Sequence, residues 1–142
     1  MNKIFFAHSS KDKKIYINSI FNILENDIGR NKIVYDIFDF DTELDIEKQI
    51  KQALSKTSIF IIFLSANSIK SEWVRFELDE AIKLYRKNIK IICGINITSQ
   101  NFDKYIKKII NDRVDYFLES GKDINEVVRI IKKYYKLLEK YY

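Results

Sequence analysis

Apolar residues along this chain follow two rhythms, short runs and stripes spaced three or four apart. The runs are Ile4-Phe5-Phe6-Ala7, Lys32 to Asp36, Ser58 to Leu64, Ile89 to Ile95 and Val114 to Leu118. They are rich in β-branched and aromatic residues, which predicts strands. The third, ending Ile59-Phe60-Ile61-Ile62-Phe63-Leu64, has no polar break and fits a central parallel strand covered on both faces. Between the runs, Ile17, Ile20, Phe21, Leu24 and Ile28 repeat at helical spacing, with Gly29 placed as a C-cap. Further stripes predict a helix through Ile46, Ile50, Ala53 and Leu54, one from Glu72 to Tyr85, a shorter one from Phe102 to Ile110, and a last one through Ile124, Val127, Val128, Ile131, Tyr135 and Leu138. Ser9, three residues before Asp12, has the spacing of a capping box. Strand and helix alternate five times. That order predicts an α/β fold, a flavodoxin-like three-layer sandwich with a five-stranded parallel sheet and helices on both faces, as one domain over residues 1–142.

Composition narrows the chemistry more than it suggests any. With 46% apolar and 32% charged residues the chain has an ordinary globular balance. The net charge of +5 is spread over scattered lysines with carboxylates nearby, so a nucleic-acid interface is not expected. No apolar run approaches a membrane span, and the N-terminus lacks a signal-peptide pattern, so a cytoplasmic location is expected. One Cys and one His leave little material for a metal site or a Cys-His nucleophile, and no metal is expected. No Gly-rich loop follows the first strand and there is no Gly-x-Ser-x-Gly elbow, which excludes phosphate-loop, dinucleotide-fingerprint and α/β-hydrolase chemistry. The carboxylates of a phospho-acceptor site are missing from the ends of the first and third strands, where His8-Ser9-Ser10 and Ser65-Ala66-Asn67 stand.

The remaining candidate is the stretch Ser65 to Leu78, a polar loop leading from the central strand into a helix. Open α/β sheets place ligands at such carboxyl ends. Trp73 and Glu77, spaced i, i+4, share one side of the helix, with Glu77 on the flank of its apolar stripe. Two readings are open: a carboxylate lining a cleft beside an indole, or a Glu favoured near a helix N-terminus and a Trp that only packs.

The joint register of these residues resembles the TIR (Toll/interleukin-1 receptor) domain, over almost the full chain. Ile4 to Asp12 is similar to that family's first strand and loop. Asp36, Phe40 and Ile46 stand at its positions around the BB loop, Ala53 and Thr57 continue the register, and Ser65, Ser71, Trp73, Glu77 and Leu78 reproduce its Ser…Ser-x-Trp-x-x-x-Glu-Leu signature without a gap. Glu43 departs from the pattern, replacing the usual Gly of the BB loop. The Pro found after the fourth strand in some relatives is also absent.

Many TIR domains cleave NAD⁺ at its nicotinamide–ribose bond, and others act as non-catalytic scaffolds that signal through TIR–TIR assembly. The resemblance implies the catalytic role for Glu77, with NAD⁺ as substrate, no separate cofactor, and either ADP-ribose or a cyclised isomer as product. It implies Phe6, His8, Ser9, Lys11, Asp39 and Trp73 as substrate-binding candidates. Against that, Phe6 also reads as core, Ser9 as a cap and Lys11 as solvated, and His8 has no evident orienting partner for work as a base. The resemblance further implies activation by self-association with other TIR domains, the BB loop of one subunit completing another's site. A longer protein with a sensor or oligomerising region, and an anti-phage defence setting, fit the same family.

Overall fold

The computed structural model describes residues 3–12, 16–35 and 45–142. Strands β1 (Ile4–Ala7), β2 (Ile33–Val34), β3 (Ile59–Leu64), β4 (Ile91–Asn96) and β5 (Phe117–Ser120) form one sheet in the order β2-β1-β3-β4-β5. Every pairing is parallel. Helices α1 (Asn18–Ile28), α2 (Ile46–Leu54), α3 (Glu72–Leu84) and α4 (Asp103–Ile110) lie in the four connections between successive strands, and α5 (Ile124–Tyr141) follows the last strand. This is the predicted three-layer sandwich. Strand order reverses between β1 and β3, which makes their carboxyl ends the switch point where such sheets take ligands.

Period-two alternation divides the side chains between two cores. Ile4, Phe6, Ile59, Ile61, Phe63, Ile91, Cys93 and Ile95 pack with Ile20, Phe21 and Leu24 of α1 and Val127, Ile131 and Leu138 of α5. Phe5, Ala7, Phe60, Ile62, Leu64 and Ile92 pack on the opposite face with Ile50 and Leu54 of α2, Val74, Leu78 and Ala81 of α3 and Ile106 and Ile109 of α4. Helices α1 and α5 therefore cover one face, and α2, α3 and α4 the other.

Local chemistry sets the element ends. Gly29, at φ +100°, closes α1 as predicted, its N–H bonding Glu25 O. Asp45 caps α2 by accepting from the amides of Glu47 and Lys48, and Asp123 caps α5 through Glu126 N. The last strand lies three residues beyond the predicted start at Val114. Asn111 and Asp112 adopt positive φ after α4, and Arg113 folds back to donate to the carbonyls of Ile109 and Ile110. The chain becomes extended only at Phe117, opposite Cys93. The BB-loop positions Asp36, Asp39, Phe40, Asp41 and Glu43 lie outside the described residues, so neither the predicted end of the second strand nor the site assignment of Asp39 is addressed.

Candidate active site

At the carboxyl end of β3 the chain enters a tight serine-built corner. Ser65 N donates to Ser68 Oγ at 2.9 Å, and Ser68 N donates back to Ser65 Oγ at 3.0 Å. The Ser68 hydroxyl donates to Ser65 O at 3.2 Å, and Ser71 N donates to Ser68 O at 3.1 Å. Ser71 is the N-cap of α3, its Oγ accepting from Val74 N at 3.3 Å. Serine recurs at three-residue spacing because each corner residue must accept an amide that the strand no longer pairs and the helix does not yet pair.

From this corner α3 runs back down over the sheet. Its buried stripe is Val74, Glu77, Leu78, Ala81 and Ile82. Glu77 thus occupies an inward position among apolar neighbours, 9% exposed. It lies five residues past Glu72, about 7.5 Å below the start of the helix. That places a largely buried carboxylate in the second turn of the helix that follows β3. Trp73, one turn earlier, is 49% exposed and rests edge-on against Phe76, ring centroids 6.0 Å apart. The helix brings Trp73 and Glu77 to adjoining turns but gives the indole an open outer position.

The loop after β1 forms the other side. Ser9 is buried, its Oγ accepting from Lys11 N at 3.2 Å and its carbonyl from Asp12 N at 3.0 Å. Lys11 is exposed. The capping-box expectation is corrected here. Residues Ser10–Asp12 form a short 3-10 turn and α1 begins only at Asn18. The buried Asp12 carboxylate instead accepts from Ser65 Oγ at 2.5 Å and from Asn67 Nδ2 at 2.9 Å. Sequence reading missed this contact. The pairing spans more than fifty residues, and only the polar character of Ser65 and Asn67 hinted at it.

Two predicted residues fall on the other face of the sheet. Phe6 is 1% exposed, its ring 5.0 Å from Phe63 and 6.1 Å from Tyr35. The His8 ring lies 5.1 Å from Tyr35, and its Nδ1 donates to Phe6 O at 3.2 Å. Tyr35 in turn packs on Phe21 and donates to Asn18 Oδ1 of α1. Phe6 and His8 thus belong to the α1 side, whereas α3 and Glu77 lie across the sheet. The structure brings together Ser9, Asp12, Ser65 and the start of α3, and it does not bring Phe6 to Glu77.

A second polar group stands at the far strand. A depression of about 190 Å³ is lined by Asn96, Asp103, Glu119 and Ser120 among others. Lys133 Nζ and Tyr134 OH both donate to Glu119 Oε2 at 2.5 Å. Burial opposes the Glu119 charge, but these two hydrogen bonds outweigh it and hold the carboxyl below its ordinary value. Burial and the same carboxylate push the Tyr134 hydroxyl well up. Cys93, in the core beneath, is pushed up to about 12, by burial first and then by the Glu119 charge. Among the described residues no cluster of His, Cys, Asp and Glu could hold a metal ion, and no helix is long and apolar enough to cross a membrane.

The sequence profile of the TIR domain matches residues 4–127. The chain belongs to the TIR domain family. This TIR domain is 25% identical over 134 residues to the NAD(+) hydrolase TcpA of Theionarchaea archaeon (strain DG-70-1), a match covering 92% of this chain. The chain spans about 40% of that relative's length. Among solved structures it is similar to the TIR domains of the activated Roq1 resistosome directly recognizing the pathogen effector XopQ. That match has a TM-score of 0.58 and 16% identity, covering 80% of this chain and 75% of that one. At that identity the likeness concerns the fold. The TIR signature now has a physical reading: Ser65 turns the corner, Ser71 caps α3, and Glu77 reaches the buried stripe.

Proposed function

We propose that this TIR domain is an NAD⁺ glycohydrolase or cyclase, active when self-associated, with Glu77 as its catalytic carboxylate. The observation that carries the reading is the placement of Glu77 on the inward stripe of α3, the helix that follows β3 at the carboxyl end of the sheet. Family membership and the relative named as an NAD(+) hydrolase support it.

Nicotinamide in NAD⁺ is already a cationic leaving group, so no acid need protonate it. The C1′–N bond breaks with its electron pair going to nicotinamide, which leaves neutral. Positive charge develops on the ribose, and a carboxylate held in a water-poor setting stabilises it. Water, or the molecule's own adenine or ribose hydroxyl, then forms the new bond to C1′ and loses a proton, giving ADP-ribose or a cyclised isomer. One carboxylate thus suffices where most glycosidases use two. Glu77 also accepts hydrogen bonds from the ribose hydroxyls. Ser9 borders the ribose and diphosphate, Lys11 reaches a phosphate from its exposed position, and Trp73 supplies an outer ring surface. His8 backs the β1 end from the opposite face. Assembly with other TIR domains completes the site, and the domain serves as the effector part of a larger cytoplasmic signalling protein.

The test is nicotinamide release from NAD⁺ by protein forced into oligomers, wild type against Glu77→Ala. Release that depends on Glu77 is expected. Release unchanged in Glu77→Ala removes the assigned role. No turnover in any assembled state leaves a scaffold that signals by TIR–TIR association alone.

A further inference from the structure

We infer that Asp12 is a positioning residue for the site, a carboxylate latch that fixes the loop after β1 to the corner from which α3 carries Glu77. The inference rests on the glycohydrolase reading for its effect on turnover, and on the hydrogen bonds alone for its effect on geometry.

Asp12 is 6% exposed, and both carboxylate oxygens are engaged by side chains from the other loop, Oδ2 by Ser65 and Oδ1 by Asn67. A buried carboxylate needs such donors, and charge-assisted bonds of this kind are shorter and stronger than neutral ones. Their polarity is fixed. The ionised carboxylate only accepts, so the single Ser65 proton is committed to it, and the Ser65 oxygen is left to accept Ser68 N. Ser68 hands on to Ser71, and Ser71 caps α3. Hydrogen bonds therefore run unbroken from Asp12 to the first turn of the helix bearing Glu77. On the other side, Ser9 holds both Lys11 and Asp12 through its side chain and carbonyl. The two walls of the switch point are thus set by one residue that needs no contact with substrate.

A substituent that merely stabilises the fold changes the folded fraction but not the turnover of folded molecules. A positioning group changes kcat at temperatures where every variant is folded, because small displacements of reacting groups cost large factors. The experiment uses forced oligomers at a temperature well below the melting point of each variant. Asp12→Ala removes both acceptors, and Asn67→Asp sets two carboxylates face to face. The double variant Asp12→Asn/Asn67→Asp reverses donor and acceptor and restores the pair. Each single variant is expected to lose about tenfold or more in kcat with KM little changed, and the double variant to recover most of it. Amide hydrogen exchange across residues 65–78 reads the geometry without turnover: faster in the single variants, restored in the double, unchanged in α5. Should Asp12→Ala not fold, Asn67→Ala, which leaves the carboxylate and removes one donor, is measured in the same two ways. Wild-type kcat and exchange in the single variants, or a double variant as impaired as the singles, would overturn the latch. Absent turnover in the wild type with the exchange pattern intact would instead defeat the glycohydrolase reading and leave the latch standing.

Discussion

Ser65→Ala is the substitution whose cost follows most directly from the coordinates. It removes the donor to Asp12 Oδ2 and the acceptor of Ser68 N, both in buried surroundings. A hydrogen bond to a charged group contributes about 1.5–3 kcal/mol, and an abandoned buried amide costs about 1–3 kcal/mol. Because the corner relaxes as a unit, a combined loss of about 3 kcal/mol is expected rather than the full sum. At about 2.1 cal/mol/K per residue, the unfolding entropy of 142 residues is about 0.3 kcal/mol/K, so the melting temperature should fall by about 10 °C. The assay is thermal and urea unfolding of wild type, Ser65→Ala, Asp12→Ala and the double variant. The two singles share one bond, so the double should cost less than their sum by about 1.5–3 kcal/mol. A melting shift below about 3 °C, or additive singles, would refute the reasoning, since either means that the Asp12–Ser65 contact carries no net free energy.

Two further outcomes are expected from the far strand and the core beneath it. Glu119 has a folded value below its ordinary one near 4.5, so the unfolded chain takes up its proton first as pH falls. Its contribution is full above that ordinary value and is lost as pH drops through the folded value. Glu119→Gln should therefore be less stable than wild type at pH 7 in urea unfolding, with the gap closing as pH falls below the ordinary carboxyl value; a gap independent of pH would contradict the assigned hydrogen bonds. Cys93, at about 12, is thiolate in only about one molecule in ten thousand at pH 8, against roughly a quarter for an unfolded thiol near 8.5. Reaction with a disulfide reagent at pH 8 should be at least about a thousandfold slower in native protein than in urea; rapid native labelling would show that the thiol is not held in the core.

Where a segment's conformation depends on its own residues, sequence and structure agree. The unbroken run in β3, the stripes of α1 and α5 and the glycine closing α1 are all of this kind. The errors arise where a distant partner decides. Ser9 and Asp12 have capping-box spacing, yet the carboxylate turns away because Ser65 and Asn67 offer two donors in a buried setting. The start of β5 moved because Arg113 satisfies the last carbonyls of α4, a use of a side chain that apolar patterning does not register. His8 and Phe6 were legible in part. Two-residue alternation from Ile4 already assigns both to the face opposite Ala7, and only the helix covering each face had to come from the structure. Glu77 was legible as a carboxylate on the flank of a helical apolar stripe, and the structure brings it into the buried stripe itself.

The Asp12–Ser65 contact also has a kinetic meaning. Its partners are 53 residues apart and meet only after β1 has paired with β3 over Ile4↔Ile59 through Ala7↔Ile62. Closing that loop is an entropic cost that strand pairing and core burial must already have met. Bonds made after that pairing form on the native side of the folding barrier, so their loss is expected in the unfolding rate rather than the folding rate. The corner is thus a brake on opening: it leaves the speed of assembly to the apolar core and sets how long the assembled carboxyl edge persists.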